Sequence, residues 1–269
     1  MIPTLDWGDS IRDPDAFALA LGRACGETGC FLLVGHGISP LLRQQAFREI
    51  DRLFDLPRAE KAKLSMKGAP QIRGWLPQGR DPRDTTKARV YRNEAFELGP
   101  DLEDPDADDA AVASCGELWR RNIWPDLPGF RATMLRYLGA AVALSADLHG
   151  QLARDLGQSE ERPGAVIVAH LPMMRLQRFL PGTQPARQTG GAVQAANGSL
   201  TLIQMDDQPR LQVWSGAGWT TVPHAPGAFM VTIGACLVNA SGGRYISPPH
   251  RILSPTRRGR WISVEFHLH

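Results

Sequence analysis

After residue 164 the chain breaks into short β-type runs separated by Gly, Pro and Asn: 166–170, 173–179, 200–205, 210–214, 219–222, 228–233 and 260–268. Runs this short do not make helices, and a lone strand buries too little surface to persist. Many of them, with turn residues between, predict a sandwich or barrel.

The first half follows a helical period. Asp13-Pro14 predicts a helix start, Asp as N-cap and Pro at the first helical position. Phe17, Ala20, Leu21 and Ala24 then lie on one face. Cys30–Val34 reads as a buried strand stopped by Gly35-His36-Gly37. Ser39-Pro40 opens the next helix, with Phe47, Ile50 and Phe54 as its stripe. The spacing of Phe130, Met134, Tyr137, Ala141, Leu144 and Leu148 predicts a long amphipathic helix from Phe130 to about Leu148. Residues 99–114 are acidic and Pro/Asp-rich and read as a solvated loop; 182–193 read as a mobile loop at a barrel mouth.

Bulk properties exclude some classes of function. An apolar share of 43% and a charged share of 22% are those of a soluble globular protein. A net charge of +2, with no basic stripe interleaved with aromatics, argues against nucleic acid as a partner. No apolar run is long enough to span a membrane. Met1–Asp6 lacks the charged and apolar regions of a signal peptide, which predicts a cytoplasmic protein. Cys25, Cys30, Cys115 and Cys236 have no CxxC or zinc spacing and read as free thiols.

An ordered set of motifs runs through nearly the whole chain. Gly29–Ile38 resembles a "GFF-x-(I/V)-x-NHG" segment. Phe54-Asp55-Leu56-Pro57 with Lys61 resembles a "FF-x-LP-x-x-x-K" junction. Arg73-Gly74-Trp75 is similar to "RGY", Asn122-x-Trp124-Pro125 to "NxWP", and Arg175–Pro181 to "RLNYYPP". Leu211-Gln212-Val213, Gly218-Trp219, Pro226–Phe229, Ile233-Gly234 and Ser241-x-Gly243-Arg244-Tyr245 then lead to His250-Arg251-Ile252. Together they resemble the isopenicillin N synthase-like oxygenases of the 2-oxoglutarate–iron(II) dioxygenase family. The resemblance implies an α+β fold: a distorted double-stranded β-helix, jelly-roll and cupin-like, with an N-terminal helical region. Residues 1–110 would form the helical and mixed region. Residues 111–269 would hold the long helix and the β-helix core as one unit.

The same resemblance implies an iron site of two His and one carboxylate. Only the distal His is matched, by His250. Gln194 stands for the first His and Ala196 for the Asp, in Gln194-Ala195-Ala196-Asn197-Gly198. At the co-substrate position Ser263 anchors the alignment. That puts Trp261 where an Arg belongs, with Arg260 one residue early and a register shift between them open. Gln177 and Phe179 replace the Asn and Tyr of "NxY". The resemblance with these departures predicts a divergent member with vestigial metal positions Gln194, Ala196 and His250, and neither iron(II) nor 2-oxoglutarate as cofactor.

The last strand sorts the remaining chemistry. By its period of two, Ile262, Val264, Phe266 and Leu268 face the helices, and Trp261, Ser263, Glu265, His267 and His269 the interior. A carboxylate in an apolar interior has a raised pKa, so Glu265 and His250 are the expected catalytic acid–base pair. Arg175, Gln177, Phe179, Gln194, Gln204, Trp261 and Ser263 are the expected substrate-binding residues. Glu265 has a structural alternative in an ion pair with Arg175. The function expected is a metal-independent enzyme of small-molecule metabolism catalysing cyclisation, elimination, isomerisation or decarboxylation. The alternatives are a non-catalytic ligand-binding or partner subunit of an active oxygenase, and an iron-dependent oxidoreductase with an atypical site. A homologous oxygenase subunit or a second copy of the chain is the expected protein partner.

Overall fold

The computed structural model describes residues 1–65, 73–79, 93–101, 122–158, 172–180, 198–206, 211–253 and 260–268. The expected strand at 166–170, the loop at 182–193, Gln194, Ala196, Cys115 and His269 lie outside the described residues.

Strand β1 (Thr4–Asp6) leads into helix α1 (Trp7–Arg12), then α2 (Pro14–Glu27). The expected cap forms: the Asp13 side chain accepts from the Ala16 amide at 3.1 Å. Phe17, Ala18, Leu21, Ala24 and Cys25 are buried on the inner face of α2. Strand β2 is Cys30–Val34, and α3 is Pro40–Asp55. Ser39 caps nothing with its side chain, so α3 starts on the fixed φ of Pro40 alone. A short helix α4 (Arg58–Lys63) and strands β3 (Gly74–Leu76) and β4 (Asn93–Leu98) follow.

Helix α5 runs Phe130–Asp155, beyond the Leu148 expected from its stripe, because Leu152 and Ala153 extend the buried face. It packs on α2 and α3. The remaining elements are β5 (Pro172–Phe179), β6 (Leu200–Met205), β7 (Leu211–Trp214), β8 (Trp219–Thr221), β9 (Phe229–Ile233), α6 (Ala235–Ala240), β10 (His250–Ile252) and β11 (Trp261–Leu268). Among the described residues no helix is long and apolar enough to cross a membrane.

The strands form two sheets. One has eight strands in the order β1-β2-β9-β6-β11-β5-β4-β3, and the other three in the order β10-β7-β8. Strand β11 lies between β5 and β6, antiparallel to both. Its outer side chains Ile262, Val264 and Phe266 join the helical core with Tyr137, Met134 and Leu138 of α5. Burying each such side chain contributes about 2 kcal/mol. Trp261 faces the other way, into a second apolar cluster with Phe179, Ile203, Leu211, Val213, Met230 and Ile252. That cluster fills the space between the two sheets at one end. The face assignment made from the period of β11 therefore holds along the described part of the strand. Strand β4 escaped the sequence reading because Glu94 and Glu97 interrupt its apolar pattern; both are buried and ion-paired.

Candidate active site

The inward face of the large sheet carries three cross-strand ladders. Asn93, Phe179 and Trp261 form one. Ala95, Gln177, Ser263 and Met205 form the next. Glu97, Arg175, Glu265 and Ile203 form the third. From the facing sheet β10 contributes His250, paired in register with Val213 of β7 and 3% exposed. Six expected site residues thus share one interior with His250: Arg175, Gln177, Phe179, Trp261, Ser263 and Glu265.

Gln204 does not join them. In β6 the inward positions are Thr201, Ile203 and Met205, and Gln204 is one residue out of phase. Its amide accepts from the Tyr137 hydroxyl of α5 and donates to the Gly227 carbonyl at 2.9 Å. It also borders a cleft of about 370 Å³ on the helical side, next to His36 and Arg43. Its expected place among the interior substrate-binding residues is corrected on these contacts.

Geometry decides between Arg260 and Trp261. Arg260 points outward, with Nη1 2.8 Å from Asp55 Oδ1 and Nη2 3.3 Å from Asp51 Oδ1 on α3. Trp261 is the inward residue.

Glu265 departs from expectation. It is 1% exposed, and burial alone raises its pKa. The His267 ring 3.2 Å away, with the charge of Arg175, outweighs burial and holds the carboxyl below its ordinary value. Glu265 is therefore ionised at neutral pH, and the proton-holding acid expected from sequence is corrected. Arg175 is its cross-strand neighbour but gives its closest contact to Glu97, at 2.5 Å. Among the described residues the expected Arg175–Glu265 ion pair gives way to Arg175–Glu97, and Arg175 acts on Glu265 through its charge alone.

His250 behaves in the opposite sense. Burial lowers its pKa, against smaller pulls upward from Glu265 and the Pro248 backbone. The ring is neutral at pH 7 and available as a ligand. Its Nδ1 makes no well-formed hydrogen bond among the described residues. The Ser263 hydroxyl is fully buried and also without a hydrogen-bond partner there.

Outside the barrel the sequence reading missed a buried charge network. Glu94 of β4 receives Lys61 Nζ at 2.7 Å, Trp75 Nε1 at 3.0 Å and Arg178 Nη2 at 2.7 Å. Arg178 also reaches Asp55 at 2.5 Å and the Phe54 carbonyl. Lys61 belongs to the helix-junction motif of the sequence, which is the available signal.

Two family models match. The N-terminal region of non-haem dioxygenases in morphine synthesis matches residues 2–127, and the 2OG-Fe(II) oxygenase superfamily matches residues 170–269. A 2-oxoglutarate-dependent dioxygenase of Trichoderma harzianum is 31% identical over 90% of this chain and 75% of its own length. This chain belongs to the 2-oxoglutarate–iron(II) oxygenase family. A homoarginine-6-hydroxylase of Arabidopsis thaliana is likewise 31% identical, over 91% of this chain and 74% of its own length. Among solved structures, a full-length Neurospora crassa protein in complex with alpha-KG superposes with a TM-score of 0.84 at 20% identity, over 100% of this chain and 84% of that one. The double-stranded β-helix fold of the oxygenase family is thereby established for this chain.

Membership corrects four expectations. A lyase, isomerase or cyclase working without metal gives way to the chemistry of iron- and 2-oxoglutarate-dependent oxidoreductases, which the matched superfamily model and the Trichoderma relative represent. The enzyme class changes with it. So do the expectation of no cofactor and the labels metal-independent and degenerate, since iron(II) and 2-oxoglutarate are the family's cofactors. On this chain His250 fits an iron ligand by its burial and its neutral ring. Among the described residues no three His, Cys, Asp or Glu side chains gather into a metal-binding group, so the described residues alone do not complete the ligand set.

Proposed function

We propose that this chain is an iron(II)- and 2-oxoglutarate-dependent oxidoreductase of small-molecule metabolism with an atypical metal site. The observation that carries this is the 31% identity with a 2-oxoglutarate-dependent dioxygenase over 90% of the chain. When bound, iron(II) and 2-oxoglutarate supply the oxidising chemistry. The chain supplies the buried interior between the two sheets. His250 is the ligand that the described residues offer to iron. Ser263 offers a buried hydroxyl to the co-substrate, and its lack of a hydrogen-bond partner among the described residues supports that role. Ionised Glu265, in electrostatic reach of His250, favours positive charge beside that ring. Phe179 and Trp261 wall the interior and exclude water from it.

Anaerobic loading with iron(II), followed by metal analysis and assay of succinate formed from 2-oxoglutarate in air, tests the reading. Near-stoichiometric iron, lost in His250→Ala, is the expected result. Iron content no higher than that of His250→Ala, with no succinate formed, overturns it.

A further inference from the structure

The cleft of about 370 Å³ on the helical side of the large sheet lies between the start of α3 and the turn at 226–228. Gln204 borders it, whereas the neighbours of Gln204 in β6, Ile203 and Met205, face the interior. The sheet thus separates this cleft from the candidate active site. Its neutral polar groups are satisfied within the frame. The Ile38 amide donates to His36 Nδ1 at 3.2 Å, which leaves the ring proton on Nε2 to be donated to the Gly227 carbonyl at 2.9 Å. Gln204 Nε2 donates to the same carbonyl, also at 2.9 Å. The walls are tied together without a ligand.

Arg43 is the exception. It stands in α3 and lines the cleft, but forms neither a hydrogen bond nor an ion pair among the described residues. Its guanidinium reaches over the opposite wall: a Cβ added at Gly227 would stand 3.9 Å from its Cζ. None of the described residues lining the cleft is acidic. Asp6, close to Gly35, is turned to the Gly8 amide at 2.8 Å and does not line it. The rest of the wall is apolar, from Val34, Ile38, Pro40, Pro226 and Ala228.

We propose that this cleft is a binding site for a small organic acid, a single carboxylate on an apolar body, with the carboxylate on Arg43. A guanidinium offers a planar fork of N–H donors that matches the two oxygens of a carboxylate. A cleft of this volume takes a ligand of small-metabolite size, and a bare inorganic anion would leave most of it empty. A second carboxylate, as in 2-oxoglutarate, would be set against the apolar wall and lose its hydration there. The site goes beyond the proposed function and does not rest on it, because it lies outside the interior given to iron(II) and 2-oxoglutarate.

The test titrates 3-phenylpropanoate and its neutral counterpart 3-phenylpropanamide into the full chain, read by ligand-observed NMR. The acid is expected to bind about tenfold more tightly than the amide, the ratio set by loss of a charge-assisted hydrogen bond. Arg43→Gln is expected to keep the parent urea midpoint and to bind acid and amide equally. Arg43→Lys, which keeps the charge and loses the fork, is expected to fall between the two. Saturating 2-oxoglutarate with iron(II), added without air, is expected to leave the acid bound. Failure of iron loading leaves the acid–amide comparison readable. No binding of the acid by the parent chain, or equal binding of acid and amide, overturns the proposal. So does a preference that survives in Arg43→Gln, or displacement of the acid by 2-oxoglutarate, which would put it in the interior.

Discussion

Arg260 meets Asp55 on the outer side of the large sheet, its Nη1 2.8 Å from one carboxylate oxygen and 3.1 Å from the other. Because β11 alternates faces, this contact obliges Trp261 to enter the barrel and Ser263 to stand two residues further along the same inner face. The Arg178 guanidinium reinforces Asp55 and, with Arg260, holds that carboxyl below its ordinary pKa against the opposing effect of burial.

The carboxylate of Glu94 neutralises two buried cations, Lys61 and Arg178. Glu94→Ala leaves Lys61 in the interior without a carboxylate among the described residues, and Arg178 with Asp55 alone. A loss of about 3–5 kcal/mol is expected, the cost of breaking a buried pair from one side. Asp55→Asn, at a half-exposed carboxylate, is expected to cost about 1 kcal/mol or less. Urea unfolding of the two variants checks the ranking; equal losses would remove the network from the account.

Acid is expected to destabilise the protein in two stages. The folded pKa of His250 lies below the ordinary histidine value, so the unfolded chain takes up that proton first. Its contribution is complete above the unfolded value, about 6.5, and declines as pH falls through the window beneath it. Glu265 is also depressed, so its contribution persists until pH falls below the ordinary carboxylate value and is then lost. Urea midpoints between pH 8 and pH 3 read both stages. His250→Leu should flatten the upper stage and leave the lower one.

The cysteines should differ sharply in reactivity. Burial pushes the Cys30 thiol up to about 12 and Cys25 further still, whereas Cys236 is exposed. In a Cys115→Ser background at pH 8, a maleimide is expected to label Cys236 alone in the native state and all three after unfolding. Native labelling of Cys25 or Cys30 at the rate of Cys236 would contradict the burial of α2 against β2.

Removing the Tyr137 hydroxyl should affect folding and spare binding. Tyr137→Phe leaves the Gln204 carbonyl without its donor in a fully buried place. A loss of about 1–3 kcal/mol is expected, with ligand affinity unchanged. A binding defect at unchanged stability would return Gln204 to the site.

Where one face of an element is apolar and the other polar, the sequence could be read directly. The inner stripe of α5 and the alternation of β11 were legible, and with β11 came the inward placement of Trp261, Ser263 and Glu265. His250 was legible through its motif. The charge state of Glu265 was not, because it depends on His267 beside it and on Arg175 across the strand. Gln204 was misplaced because its strand was read without its phase. Strand β4 was hidden because its carboxylates are satisfied by residues far away in the chain, Glu94 by Lys61 and Arg178 and Glu97 by Arg175. The cofactors were not legible because the changes at positions 194, 196 and 261 point away from iron(II) and 2-oxoglutarate, whereas the likeness to the family runs through the whole molecule.

The Glu94 cluster draws Phe54 and Asp55 at the end of α3, Lys61 of α4, Trp75 of β3 and Arg178 of β5 to one point. Its members come from both matched regions, residues 2–127 and 170–269. Those regions are consequently poor modules for transplantation. A chimera that exchanges one of them with a relative must bring a matching acid or base for each orphaned member, and the natural unit of inheritance at this seam is the whole cluster.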